Sequence, residues 1–144
     1  MTARRMTEAD IQKIVPFFIN YYNTHEEGEW TPEPTYKRIH QVWSREDSFC
    51  VLWEDGEELI GFAMGYFEQY DDLFAYDLVE IIVGKEYQGK GIGTQCLLEL
   101  ESMVKAEGAA MVQLQAVNDE MHEHFYGKLK YKNAENFVLK SKWL

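Results

Sequence analysis

The stretch from Phe74 to Thr94 constrains this chain more than any other. Residues 74–83 read FAYDLVEIIV, an apolar run of strand length, and Gly89, Gly91 and Gly93 follow it closely. A run that apolar predicts a central strand covered on both faces. Behind the glycines, Cys96, Leu100, Met103 and Val104 fall at helical spacing, and Gly108 supplies a left-handed stop. The unit is strand, glycine turn, helix. Alternating glycines at a helix start leave backbone N–H groups uncovered, and the helix N-terminus adds positive potential. Lys90 adds a full charge. Gln88, Gly89, Lys90, Gly91, Ile92, Gly93 and Thr94 thus make a candidate pyrophosphate loop, with a purely structural turn as the alternative. Their G-x-G-x-G spacing differs from the dinucleotide fingerprint and from the phosphate loop of nucleotide triphosphatases.

The remaining segments read as one α/β unit. Residues 2–6 predict a short first strand. Thr7 predicts the cap of a helix to about Asn23, with Ile11, Ile14, Val15, Phe18 and Ile19 buried and Pro16 kinking or dividing it. Thr24 to Pro34 reads as a loop, and Thr35 to Ser44 as a helix with Tyr36, Ile39 and Trp43 on one face. Phe49 to Trp53 alternates as a strand, Asp55-Gly56 marks a turn, and Leu59 to Phe67 returns as the second strand of a hairpin. Met111 to Val117 predicts a further strand. Asp119 to Leu129 predicts an amphipathic helix through Met121, Phe125 and Leu129, and Tyr131 to Trp143 one or two closing strands. Together these predict a single domain over residues 1–144, a mixed sheet with helices on both faces.

Composition narrows the partners. Lys and Arg total 14 against 25 Asp and Glu, a net charge of −11. Such a surface repels a phosphate backbone, so no nucleic-acid partner is expected. It favours a cationic partner by steering, unless it serves solubility alone. Cys50 and Cys96 read as small core residues. His122 and His124 sit at i, i+2 and do not share a helix face, so no metal site is expected. No apolar run is long enough for a membrane span and no leader segment is visible, which makes a cytoplasmic protein the expectation.

Gln88, Gly91 and Gly93 resemble Q/R-x-x-G-x-G/A, the signature loop of the GNAT superfamily of N-acetyltransferases. Residues 78–83 resemble that family's fourth strand, Glu86, Tyr87 and Gln88 its lead-in, and Phe125 to Leu129 its F-Y-x-K-L segment. The resemblance implies a mixed, mostly antiparallel sheet in which parallel strands 76–83 and 111–117 splay apart. It implies acetyl-CoA as cosubstrate. The glycine loop would hold the pyrophosphate, and Ile81, Ile82 and Val83 would pair with the pantetheine arm. Two departures stand out. Where the family often has Asn before its tyrosine, this chain has Asp119 with Asn118 beside it, and either is left to cap the helix and meet the cofactor. Where the family has glycine after the helix, this chain has Lys130.

Acetyl transfer to an amine needs the amine deprotonated, the thioester oxygen stabilised and the leaving thiolate protonated. By resemblance Tyr126 is the general acid; periodicity alone reads it as a core tyrosine. Glu80 is the candidate base, because a carboxylate interrupting Leu78-Val79 and Ile81-Ile82-Val83 is costly unless paired or wet. Pairing with a cation is the equal alternative, and Asp77 is a weaker substitute. The resemblance suggests that a backbone N–H near Val83 polarises the carbonyl. Glu26, Glu27 and Glu29 beside Trp30 fall in the family's acceptor-bordering segment, with Asp71 and Asp72 in a second loop. Carboxylates beside an indole suit a small cationic amine, polyamine-like or aminoglycoside-like. A protein or peptide amine, or a non-catalytic coenzyme A module, are the alternatives, and a homodimer is compatible with all of them.

Overall fold

A computed structural model describes all 144 residues. Thr2–Arg5 forms β1, and a 3-10 turn over Glu8–Asp10 leads into helix α1, Ile11–His25. Asp10 fixes that entry. Its carboxylate accepts from the Thr7 N–H at 2.7 Å and from two Arg4 nitrogens at 2.8 Å each. A helix start thereby gains partners for groups it would leave open. Pro16 lies inside α1 without dividing it. One lost backbone bond is offset by packing, because Ile11, Ile14, Val15 and Phe18 are buried. Ile19 is half-buried.

Helix α2 spans Pro32–Trp43 and so begins three residues before the expected Thr35. Thr31 is extended and Pro32 takes the first helical turn, where its fixed φ suits the helix. The strands β2 (Val51–Asp55), β3 (Glu58–Gln69) and β4 (Phe74–Val83) follow. After a 3-10 turn at Lys85–Tyr87 come α3 (Ile92–Ala106), β5 (Met111–Leu114) and α4 (Glu120–Lys128).

The sheet has five strands in the order β1-β2-β3-β4-β5. Every pairing is antiparallel except β4–β5, which is parallel. This is the expected mixed sheet, and both faces are covered. One core joins Ile11, Ile14, Phe18 and Ile39 of α1 and α2 to Leu52, Phe62, Met64 and Ile82. The other joins Cys96, Leu97, Leu100 and Val104 of α3 to Val51, Trp53, Tyr76, Leu78 and Val83. Cys50 and Cys96 are free and buried, as core residues. No helix is long and apolar enough to cross a membrane.

The β3–β4 ladder slips once. Met64 pairs Glu80, but Gly65 pairs Leu78, so Val79 is an extra residue on β4. Gly65 permits this, since a Cβ there would overlap the Asp77 carbonyl and the Tyr76 ring. A bulge reverses the alternation of side chains beyond it. Tyr76 and Leu78 join the α3 core, whereas Ile82 joins the α1–α2 core. Glu80 therefore faces α1 and α2.

Three expectations fail. The strand expected to reach Val117 ends at Leu114, because β4 and β5 part there. Met121, expected on the buried stripe of α4, is 63% exposed. The tail, expected to supply closing strands, has no strand after Tyr131. A strand needs a partner, and this segment pairs with no strand of the sheet.

Candidate active site

The parallel ladder joins Ala75–Leu78 to Met111–Leu114 and stops there. β4 continues to Val83 with β3 on one side only. Its other side, over Val79–Val83, carries backbone N–H and C=O groups that need partners. The two strands thus part as expected, and Ile81, Ile82 and Val83 lie on the opened length.

The glycine turn follows at once. Gln88 Nε2 donates to the Val83 carbonyl at 3.1 Å, tying the turn to the strand end. Gly89 and Gly91 have φ of +75° and +78°, the left-handed region that favours glycine. Gly91 is the cap of α3, with no side chain bonded to that terminus and no acidic residue in the first turn. The uncovered N–H groups and the helix dipole make an anion cradle. Gly93 differs. It is helical, and a Cβ there would make ordinary contact with the Phe125 ring at 3.6 Å and Val83 Cγ2 at 4.0 Å. Lys90 is exposed, and Ile92 and Thr94 are half-buried. An unpaired strand edge leading into an uncapped helix start is the donor set that a chain of amides ending in a pyrophosphate requires. The residues present therefore fit acetyl-CoA.

At the start of α4 the choice between Asn118 and Asp119 resolves for the cap. Asp119 Oδ1 accepts from the His122 N–H at 2.8 Å and lies 2.7 Å from His122 Nδ1. Those contacts, the backbone one foremost, hold the Asp119 carboxyl below its usual range. Asn118 is exposed and caps nothing.

Tyr126, on α4, is half-buried. Burial first, then the charges of Glu80 and Tyr21, push its phenol above the ordinary value, and no hydrogen bond contributes. The Glu80 charge thus reaches Tyr126, with β4 and α4 bringing the two toward the length where β4 loses its partner.

Glu80 is paired. Its side chain is 13% exposed, Arg38 Nη2 donates to Oε1 at 3.0 Å, and the Tyr22 hydroxyl donates to Oε2 at 2.5 Å. Tyr22 is pushed far up by burial and then by the carboxylate charge. The sequence left pairing with a cation open and Arg38 provides it, but neither partner was named. Tyr22 had a signal, since it continues the buried stripe one turn beyond Phe18 and a buried hydroxyl needs a partner. Arg38 had none.

The residues expected on the acceptor side divide. Glu26, Glu27 and Glu29 are exposed in the loop between α1 and α2. Glu26 lies close enough to Tyr21 for its charge, with that of Glu80, to add to burial in raising that phenol. Trp30 is half-buried and meets Phe18 edge-on at 5.1 Å. Its backbone is clamped by Asn23 through bonds of 2.9 and 2.8 Å. Asp71 and Asp72 sit in the turn before Phe74, at the paired end of β4, so they do not join this group. Asp77 faces Tyr66 across the ladder, with Glu68 near it, rather than Tyr22 and Arg38.

The profile of the acetyltransferase (GNAT) family matches residues 15–131. No curated protein matches the sequence. Solved structures do match in shape. A probable acetyltransferase is 19% identical with a TM-score of 0.80, over 100% of this chain and 98% of that one. A GNAT family acetyltransferase of Staphylococcus aureus is 15% identical with a TM-score of 0.76, over 98% of each chain. An aminoglycoside acetyltransferase from an uncultured soil metagenomic sample, in complex with sisomicin, is 16% identical with a TM-score of 0.78, over 99% of this chain and 95% of that one. At such identities the likeness is one of fold.

Proposed function

This chain belongs to the acetyltransferase (GNAT) family and is an acetyl-CoA-dependent N-acetyltransferase, and from that premise we propose that its acceptor is a small cationic primary amine, attacking the thioester directly. Gly89, Gly91 and the first turn of α3 hold the pyrophosphate, with Gln88, Lys90, Ile92, Gly93 and Thr94 completing the loop. Ile81, Ile82 and Val83 hold the pantetheine amides, and Asn118 borders them. Bound acetyl-CoA supplies the activated acetyl group. Glu80 takes the proton of the incoming ammonium, directly or through water. A backbone N–H near Val83 polarises the carbonyl. Tyr126 gives its proton to the departing sulfur. Its raised pKa keeps that proton in place at neutral pH and lowers the driving force for giving it up, so transfer occurs only as the thiolate forms.

What carries this reading is the meeting of Glu80 and Tyr126 at the unpaired length of β4. One observation favours a second role for Glu80. The Arg38 ion pair suits a carboxylate that orients the acceptor while water carries the proton.

The cationic acceptor is supported by exposed Glu26, Glu27 and Glu29, of which Glu26 lies near Tyr21. Arg38 works against it locally, so attraction belongs to the rim rather than the reacting centre. The experiment is a panel of mono- and polyvalent amines assayed by thiol release. Replacing Glu26, Glu27 and Glu29 by Gln together should raise KM for polyvalent amines more than for monoamines, and added salt should do the same. Equal activity of that variant on every amine defeats the cationic reading.

A further inference from the structure

Arg38 reaches from α2 to the length of β4 that has lost its partner, and it uses little of its hydrogen-bonding capacity there. Its Nη2 donates to Glu80 Oε1 at 3.0 Å, and Arg38 makes no other side-chain hydrogen bond. A guanidinium carries N–H donors on every nitrogen and accepts no hydrogen bond. The other arginines are occupied. Arg4 donates through Nε, Nη1 and Nη2 to Glu54 and Asp10. Arg5 lies over the Phe49 ring at 4.1 Å, and Arg45 over the Tyr66 ring at 3.7 Å. Arg38 has neither a second acceptor nor a ring, and its side chain is 38% exposed. An arginine that only neutralised Glu80 would gain most by giving both prongs of its fork to the carboxylate. The Tyr22 hydroxyl takes the other oxygen, so the remaining Arg38 donors are left open beside the candidate base.

Those donors bear on what an acceptor must offer. An ammonium arriving at Glu80 meets a carboxylate that Arg38 already balances, so two cations share one anion. A plain polyamine makes this worse, because it brings further cations and N–H donors that a guanidinium cannot use. A hydroxyl beside the amine brings lone pairs to the open donors and leaves the positive charge of the acceptor intact. A carboxylate would also bind Arg38, but it would cancel that charge and meet a protein of net charge −11.

We propose that Arg38 binds a hydroxyl on the carbon next to the acceptor's amine-bearing carbon, so that the acceptor class is a cationic vicinal amino alcohol rather than a plain polyamine. The inference rests on the cationic-amine reading above and on Glu80 receiving the amine. Each carboxylate oxygen of Glu80 has a lone pair beyond the one that Arg38 or Tyr22 occupies, so the nitrogen can bond there without displacing either. The acceptor is then held at two points, its nitrogen on Glu80 and its hydroxyl oxygen on a free Arg38 N–H, which restricts rotation of the amine against the thioester.

The test is a matched pair of acceptors, 1,3-diaminopropan-2-ol and 1,3-diaminopropane, which differ only in a hydroxyl adjacent to both amine-bearing carbons. Rates are read by thiol release and expressed per neutral amine, since the hydroxyl lowers amine basicity. The wild-type enzyme should favour the alcohol by about tenfold or more in kcat/KM. Arg38→Met keeps an unbranched stem without donors and should bring that ratio to about one. Calorimetry of the same pair on the enzyme loaded with coenzyme A reads the preference without turnover. A wild-type ratio near one, with both amines acetylated, overturns the inference and leaves the cationic-amine reading standing. An Arg38→Met variant that is slowed equally on both amines, with the wild-type preference kept, also overturns it, since Arg38 would then only hold Glu80. Neither binding nor turnover of either amine, or of any in the wider panel, overturns both readings together.

Discussion

The Tyr22 hydroxyl donates to Glu80 Oε2 at 2.5 Å, while Arg38 holds Oε1 at 3.0 Å. Both carboxylate oxygens are thus fixed from α1 and α2. If Glu80 accepts the amine proton, Glu80→Gln lowers kcat/KM most at neutral pH. The defect shrinks as pH rises and more of the amine is already neutral. Tyr22→Phe, which frees one oxygen, should give a smaller loss, roughly tenfold. A pH-independent defect in Glu80→Gln assigns the carboxylate to positioning instead.

Gly91 matters for its backbone rather than for space. Its φ is +78°, and a Cβ would meet nothing within 4 Å. A β-branched residue resists that conformation, whereas asparagine tolerates it. Gly91→Val should weaken acetyl-CoA binding by about tenfold or more in calorimetry, and Gly91→Asn should weaken it less. Wild-type affinity in Gly91→Val removes the loop from cofactor binding.

Tyr126→Phe deletes only a hydroxyl that makes no hydrogen bond within the chain and feels the charge of Glu80. The rate of the chemical step should fall by roughly 10²-fold, with acetyl-CoA affinity little changed. An unaltered single-turnover rate takes Tyr126 out of the mechanism.

Burial, and then Glu68, raise Asp77 to about 6, while Glu68 is held below its ordinary value. The two carboxyls titrate together, and a proton settles on Asp77 as pH falls through about 6. The folded pKa exceeds the unfolded one, so this group favours the folded state below pH 4. That contribution is lost as pH rises through 6. Asp77→Asn should therefore raise stability at pH 7 by roughly 1 kcal/mol, after discounting for partial exposure. The gain over wild type should disappear near pH 4. An unchanged denaturation midpoint at pH 7 contradicts this.

Lys130 has φ of +72°, a left-handed conformation just past α4. A side chain there costs about 1–2 kcal/mol, part of which glycine gives back in chain entropy. Lys130→Gly should raise the thermal midpoint by about 2–4 °C, and Lys130→Val should lower it. A lower midpoint for the glycine variant means that the lysine makes contacts outweighing the strain.

What the sequence determined by itself was local. The apolar run before three glycines predicted a strand, a turn and a helix start, because each depends on residues close in the chain. Gly89 and Gly91 do adopt the left-handed conformations their type permits. Gly93 was grouped with them from spacing but is an ordinary helical residue. The buried stripe of α1 was legible for the same local reason, and Pro16 misled only because packing outweighs one lost backbone bond.

The tertiary structure decided which way Glu80 points and what it touches. Strict alternation along β4 places residues 76, 78 and 80 on one face. The extra residue at Val79, permitted by Gly65 on the neighbouring strand, turns Glu80 toward Tyr22 and Arg38. No pattern within β4 encodes that slip, since it depends on the glycine that the neighbouring strand places opposite it. The closing strand fails for a related reason. Tyr131 to Trp143 has strand alternation, but an alternating segment becomes a strand only where the fold pairs it with a free edge, and the segment's own sequence does not decide that.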